Sequence, residues 1–159
     1  MFQTTNYSTD LSASYSLLCK QLDALLEGET NAIANLSNAS ALLNQFFDKI
    51  NWVGVYLGEE GGVVLGPFQG LPACVRISLG KGVCGTAAET QETIIVPDVH
   101  AFPGHIACDA ASQSEIVVPI VREGKLLGVL DIDSPIKDRF TAEDGKGLEQ
   151  FVEVLIKHI

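Results

Sequence analysis

The sequence holds no apolar run approaching the roughly 18 residues that cross a bilayer, so nothing in it reads as a membrane span. It has no cluster of basic residues either. Its ten Lys and Arg are scattered singly against twenty Asp and Glu, for a formal net charge of -10. A surface of that sign repels phosphate backbones and anionic lipid, which excludes nucleic acid and membrane as expected partners. The start, Met-Phe-Gln-Thr-Thr-Asn-Tyr-Ser, lacks the basic and apolar stretches of a secretory signal, so the cytoplasm is the expected compartment. Thiols stay reduced there, and none of the four cysteines forms a CxxC pair. Repeats, low-complexity tracts and linkers are also absent. A length of 159 residues fits one domain, and 47% hydrophobic residues suffice for a core.

The periodicity predicts two N-terminal helices within residues 11–49. Leu11, Tyr15, Leu18, Leu22 and Leu26 mark the first. The second runs from about Thr30 to Lys49, with Ile33, Leu36, Leu43, Phe46 and Phe47 on its apolar side. At Trp52 the period falls to two. Trp52–Leu57 and Val63–Phe68 read as a hairpin about Gly58–Gly62, and Val75–Leu79 as a short third strand. A short helix near Val83–Thr90 and a strand at Thr93–Val96 follow. Residues 97–114 form a loop too long and mixed to be a simple connector. Ile116–Val121 and Lys125–Ile132 make a hairpin about Glu123-Gly124. Thr141 with Asp144 resembles a capping box opening a last helix over 141–158. This order predicts a single α+β domain over 1–159, with an antiparallel sheet and active-site loop at 51–134 and helices packed on the sheet.

Cys19 falls on the apolar side of the first helix, where free cysteine packs as a small hydrophobe. Cys74, Cys84 and Cys108 lie at edges or in loops beside glycine, proline or alanine, and read as exposed thiols. Three such thiols suit attack by one and resolution by another. His100 and His105 precede Cys108 in the same loop and either could stabilise its thiolate, or both could simply hold loop backbone. They also keep a structural zinc site open as an alternative. Asp131 and Asp133 share one face of an apolar strand with Leu127 and Val129, where two acids are costly unless paired or protonated. Glu115 begins the partner strand. With a two-residue turn it would face away from both aspartates, so convergence requires an odd-numbered loop or a bulge, for which Pro119 is the expected place. Trp52, the only tryptophan, reads as a core indole or a ligand wall.

Several segments taken together resemble the free methionine-(R)-sulfoxide reductases, single-domain enzymes of the GAF fold. They are Asn51-Trp-Val-Gly-Val-Tyr56, Leu65-Gly-Pro-Phe-Gln-Gly70, Pro72-Ala-Cys-Val-Arg-Ile77, Gly80-Lys-Gly-Val-Cys-Gly-Thr-Ala87, Asp98-Val-His-Ala-Phe-Pro-Gly-His-Ile-Ala-Cys-Asp109, Ser114-Glu-Ile-Val-Val-Pro119 and Gly128-Val-Leu-Asp-Ile-Asp-Ser-Pro135. The resemblance implies reduction of free L-methionine (R)-S-oxide with thioredoxin as reductant, no metal or organic cofactor, and often a homodimer. It makes Cys108 the attacking thiolate and Cys74 and Cys84 the candidate resolving thiols. Glu115, Asp131 and Asp133, with Trp52 and Tyr56, would bind substrate. The alternative is a non-catalytic GAF module sensing a small ligand or redox state. Such a sensor is expected to carry an output domain, for which this length leaves no room.

Overall fold

The structure is a computed structural model that describes residues 2–105 and 108–159. The part of the loop reading that falls on Ile106 and Ala107 lies outside the described residues. The chain forms α1 (Leu11–Leu26), α2 (Ala32–Phe46), β1 (Trp52–Glu59), β2 (Gly62–Gly70), β3 (Arg76–Ser78) and α3 (Gly82–Thr90). It continues through β4 (Ile94–Val96), a 3₁₀ turn at Val99–Ala101, β5 (Ser114–Arg122), β6 (Lys125–Ser134) and α4 (Ala142–Ile156). The strands form one antiparallel sheet in the order β3-β2-β1-β6-β5-β4. The expected α+β architecture is therefore the one observed, with the third strand and the second helix shorter than their sequence patterns suggest.

Each long helix begins where a short polar side chain satisfies an otherwise orphaned N–H group. Asp10 accepts from the Ser12 amide, Asn31 from the Ala34 amide, and Thr141 with Asp144 forms the reciprocal capping box at α4. Helices α2 and α4 lie on one face of the sheet, and α1 packs against both. Between them Leu18, Leu22, Leu43, Val55, Ile116, Leu130, Ile132 and Phe151 form the larger core. The buried Tyr15 hydroxyl donates to Asp144 Oδ1 at 2.8 Å, tying α1 to the start of α4. Gly147 permits this contact: a Cβ there would come within 2.2 Å of the Tyr15 ring. Ile33 departs from the expected apolar side of α2 and is exposed; Ala39 and Leu42 fill the core in its place.

The opposite face of the sheet carries a second core of Trp52, Tyr56, Val63, Ile77, Val117 and Val129, covered by Val83, Cys84 and Ala87 of α3. Strand register decides what reaches this face. Glu123-Gly124 is a two-residue turn between the paired Arg122 and Lys125, with φ of 50° and 78°. That left-handed geometry matches strand twist and favours glycine. The register then shifts, because Val121 pairs with Leu126 but Ile120 pairs with Gly128. The extra residue is Leu127 on β6, so the bulge lies across the ladder from Val121 rather than at Pro119. Its consequence is that Leu127 turns to the helix side while Val129, Asp131 and Asp133 turn to the α3 side. The expected grouping of Leu127 with the two aspartates is thereby corrected.

Candidate active site

With the bulge in place, Glu115 pairs with Asp133, Val117 with Asp131, and Trp52 with Asp133 on the other side of β6. Side chains directly opposite across a ladder share a face. Three carboxylates from two strands thus converge beside the aromatic residues of β1. They floor a cavity that opens to solvent. Trp52 and Tyr56 form one wall, α3 brings Lys81, Val83 and Cys84, and the loops supply Ala73, His105, Cys108, Asp109 and Ser112. Trp52 stacks on both Tyr56 and Phe68, with ring centroids 5.8 and 5.2 Å away. It is at once a core indole and a cavity wall, so its two readings coincide.

The cysteines separate into pairs. Cys74, between β2 and β3, and Cys108, in the long loop, are joined by a disulfide at the cavity rim with Cα atoms 5.7 Å apart. Cys84 and Cys19 are free. Cys84 is not the exposed thiol its surroundings in sequence suggest. It lies buried in the first turn of α3, its Sγ 3.9 Å from Glu115 Oε2. Burial, then the charges of Asp131 and Glu115, push this thiol well above the usual cysteine range, which keeps it protonated and a poor nucleophile. Cys19 is half-buried against the larger core.

The carboxylates are perturbed in the same sense. Glu115 is raised well above the ordinary range by burial first, and further by the negative charges of Asp131 and Asp133. Burial likewise raises Asp131, and raises Asp133 strongly with Asp131 beside it. Glu115 and Asp131 are buried and Asp133 is half-buried, and burial pushes all three toward their neutral forms. Asp131 Oδ1 is buried with no hydrogen-bond partner among the described residues, although Asp131 lines the cavity.

His105 Nε2 lies 4.0 Å from Glu115 Oε1 at the edge of the cavity, and burial depresses its pKa. His100 is exposed in the 3₁₀ turn. Sequence reasoning missed Asn51. Its amide donates to Asp109 Oδ2 at 2.9 Å and to Ser112 Oγ at 3.1 Å, fastening the Cys108 loop to the end of β1. Its place directly before Trp52 was the available signal. For metal binding, Cys84, Glu115 and Asp131 are the three side chains among the described residues whose donor atoms lie within 4.8 Å of one another. This set differs from the Cys108–histidine grouping that the sequence left open.

A sheet with helices on one face and a loop-roofed cavity on the other is the arrangement of a GAF domain. The GAF domain model matches residues 21–159, and the chain belongs to that family. A narrower kinship follows from full-length relatives. The free methionine-R-sulfoxide reductase of Escherichia coli (strain K12) is 54% identical over 143 residues, covering 90% of this chain and 87% of that protein. The reductase of Staphylococcus aureus, solved in complex with substrate, is 53% identical, covers 99% of both chains and superposes with a TM-score of 0.87. The reductase of Neisseria meningitidis, also with its substrate, is 40% identical over 99% of this chain and 95% of that chain, with a TM-score of 0.94. Within the GAF domains, the chain belongs to the free methionine-R-sulfoxide reductases.

Proposed function

We propose that the protein reduces free L-methionine (R)-S-oxide to L-methionine by thiol chemistry at this cavity. The observation that carries the reading is a disulfide set at the rim of a pocket floored by Glu115, Asp131 and Asp133. Cys108 as thiolate attacks the sulfoxide sulfur, and one proton goes to the departing oxygen. A transient bond joins the two sulfurs; it and the S–O bond then break as the hydroxyl passes to the Cys108 sulfur, so that methionine is released and Cys108 becomes a sulfenic acid. The thiol of Cys74 then attacks that sulfur, water leaves, and the disulfide forms. The proton donor is one of the buried acids, since a carboxyl that stays protonated near neutral pH is suited to general acid catalysis. Cys84, kept neutral by its burial in the first turn of α3, serves as pocket wall and as a partner of Glu115.

Selectivity for the free amino acid follows from its charges. An α-ammonium relieves the repulsion among Glu115, Asp131 and Asp133 and supplies a donor to Asp131 Oδ1. The first turn of α3, next to Lys81, faces the same cavity and complements a carboxylate. Trp52 and Tyr56 offer an apolar wall to the methyl thioether end. Thioredoxin as reductant, a reducing compartment such as the cytoplasm, and a homodimer complete the proposal. In the direct test the protein is mixed with each epimer of free methionine sulfoxide, thioredoxin and its reductase, and NADPH consumption is followed. Oxidation with the R epimer alone is expected. No consumption with either epimer would leave a ligand-sensing GAF module as the reading.

A further inference from the structure

The segment linking β2 to β3 is pinned from inside by three hydrogen bonds. Trp52 Nε1 donates to the Leu71 carbonyl at 3.1 Å, the Tyr56 hydroxyl to the Cys74 carbonyl at 2.9 Å, and the Leu65 amide to the Val75 carbonyl at 2.8 Å. With its carbonyls held inward, the segment leaves Leu71 63% and Val75 57% exposed. These are the two most exposed large apolar side chains among the described residues, and they bracket Cys74. A single exposed leucine or valine needs no explanation. Two of them on a clamped backbone, on either side of a redox-active sulfur, mark a contact surface. They do not line the substrate cavity.

Chemistry identifies the occupant. The disulfide cannot be reopened from within, because the free thiols are Cys84, buried in the α3 wall of the cavity, and Cys19, packed against the helices. Two electrons must come from an external dithiol. We infer that Leu71 and Val75 form the docking surface for a protein dithiol, which opens the disulfide at the sulfur of Cys74. The partner's thiolate bonds to Cys74 Sγ, the Cys74–Cys108 bond breaks, and its electron pair leaves on Cys108. That residue is then released as the thiolate the next turnover requires. The partner's second thiol attacks the mixed disulfide and frees Cys74. The partner ends oxidised by two electrons, and its two thiol protons pass to solvent or to the new thiolates.

This inference rests on the reading that the disulfide forms in turnover, but its test uses no methionine sulfoxide, so the two can fail separately. Oxidised protein is mixed with reduced thioredoxin or with dithiothreitol, and released thiols are trapped by alkylation over time. The double variant Leu71→Ser, Val75→Ser is expected to slow reduction by thioredoxin about tenfold or more, as loss of interface anchors does, while the dithiothreitol rate stays within about twofold. Leu79→Ser, an exposed leucine beyond β3, is expected to change neither rate. Equal slowing with both reductants, or slowing with neither, overturns the docking surface. Thioredoxin lacking its second cysteine is expected to be captured on Cys74. Capture on Cys108 overturns the choice of sulfur.

Discussion

The two faces of the central sheet are written by alternate residues of the same strands, and they solve opposite problems. On one side Ile116, Val118, Leu130 and Ile132 meet helices in a dry core. On the other their immediate neighbours Glu115, Asp131 and Asp133 meet a cavity, while Val117 fills the second core. The apolar face gains free energy from each group removed from water. The acid face loses it, because burial raises three carboxyls that must share protons. The first face pays for the second.

The largest expected effect is on chemistry and leaves both faces intact. Cys108→Ser should lower turnover on the order of 10³-fold or more, as removal of a nucleophile does, with a melting temperature equal to that of wild type kept under reducing conditions. Near-normal product in a single-turnover assay would move the attacking role to Cys84. The next contrast is between adjacent residues. Ile132→Ala should destabilise by about 2–5 kcal/mol, the cost of emptying a well-packed core site. Chemical denaturation of that variant beside Asp131→Asn measures the asymmetry directly, and equal losses would erase the distinction between the faces.

Much of this contrast was legible in the sequence. The Thr141–Asp144 capping box and the Glu123-Gly124 turn are local signals, and both stand where the residues place them. The need for a register change to bring Glu115 to the aspartates was also legible, since a period of two leaves no other route. Its place was not. A bulge is a property of two strands, and nothing in Leu127 alone separates it from its neighbours. Cys84 was misjudged for a related reason: glycines on both sides suggest exposure, but what covers a thiol is decided by the sheet beneath α3. The Cys74–Cys108 pairing spans 34 residues and carries no local signal.

Smaller effects probe the acid face itself. If the carboxylates read an ammonium, free methionine sulfoxide should outpace its N-acetyl derivative by about 1–3 kcal/mol in kcat/KM, the cost of leaving buried polar groups unpaired. Asp131→Asn or Asp133→Asn should shrink that margin. Equal rates for wild type on the two substrates would end this account of selectivity.

The smallest effect is on stability and has a definite sign. An unfolded glutamate loses its proton near pH 4.3, whereas Glu115 in the fold keeps it to higher pH. The native state therefore binds more protons across that window, and stability falls as pH rises through it. Glu115→Gln should remove this penalty. The variant should be more stable than wild type at pH 7.5, with the gain fading as pH falls to 4. Urea unfolding at the two pH values checks this. A gain that persists at pH 4 would assign it to packing instead of ionisation.

Trp52 has a consequence outside catalysis. It is the sole indole of the chain, stacked on Tyr56 and Phe68 and bonded to the carbonyl of Leu71, three residues from a redox sulfur. Excited near 295 nm, the whole protein thus emits from one point in the wall of its pocket. Ligand entry and the making or breaking of the disulfide act on that emitter at short range, while the helical layer stays dark. The molecule carries its own optical gauge of occupancy and oxidation.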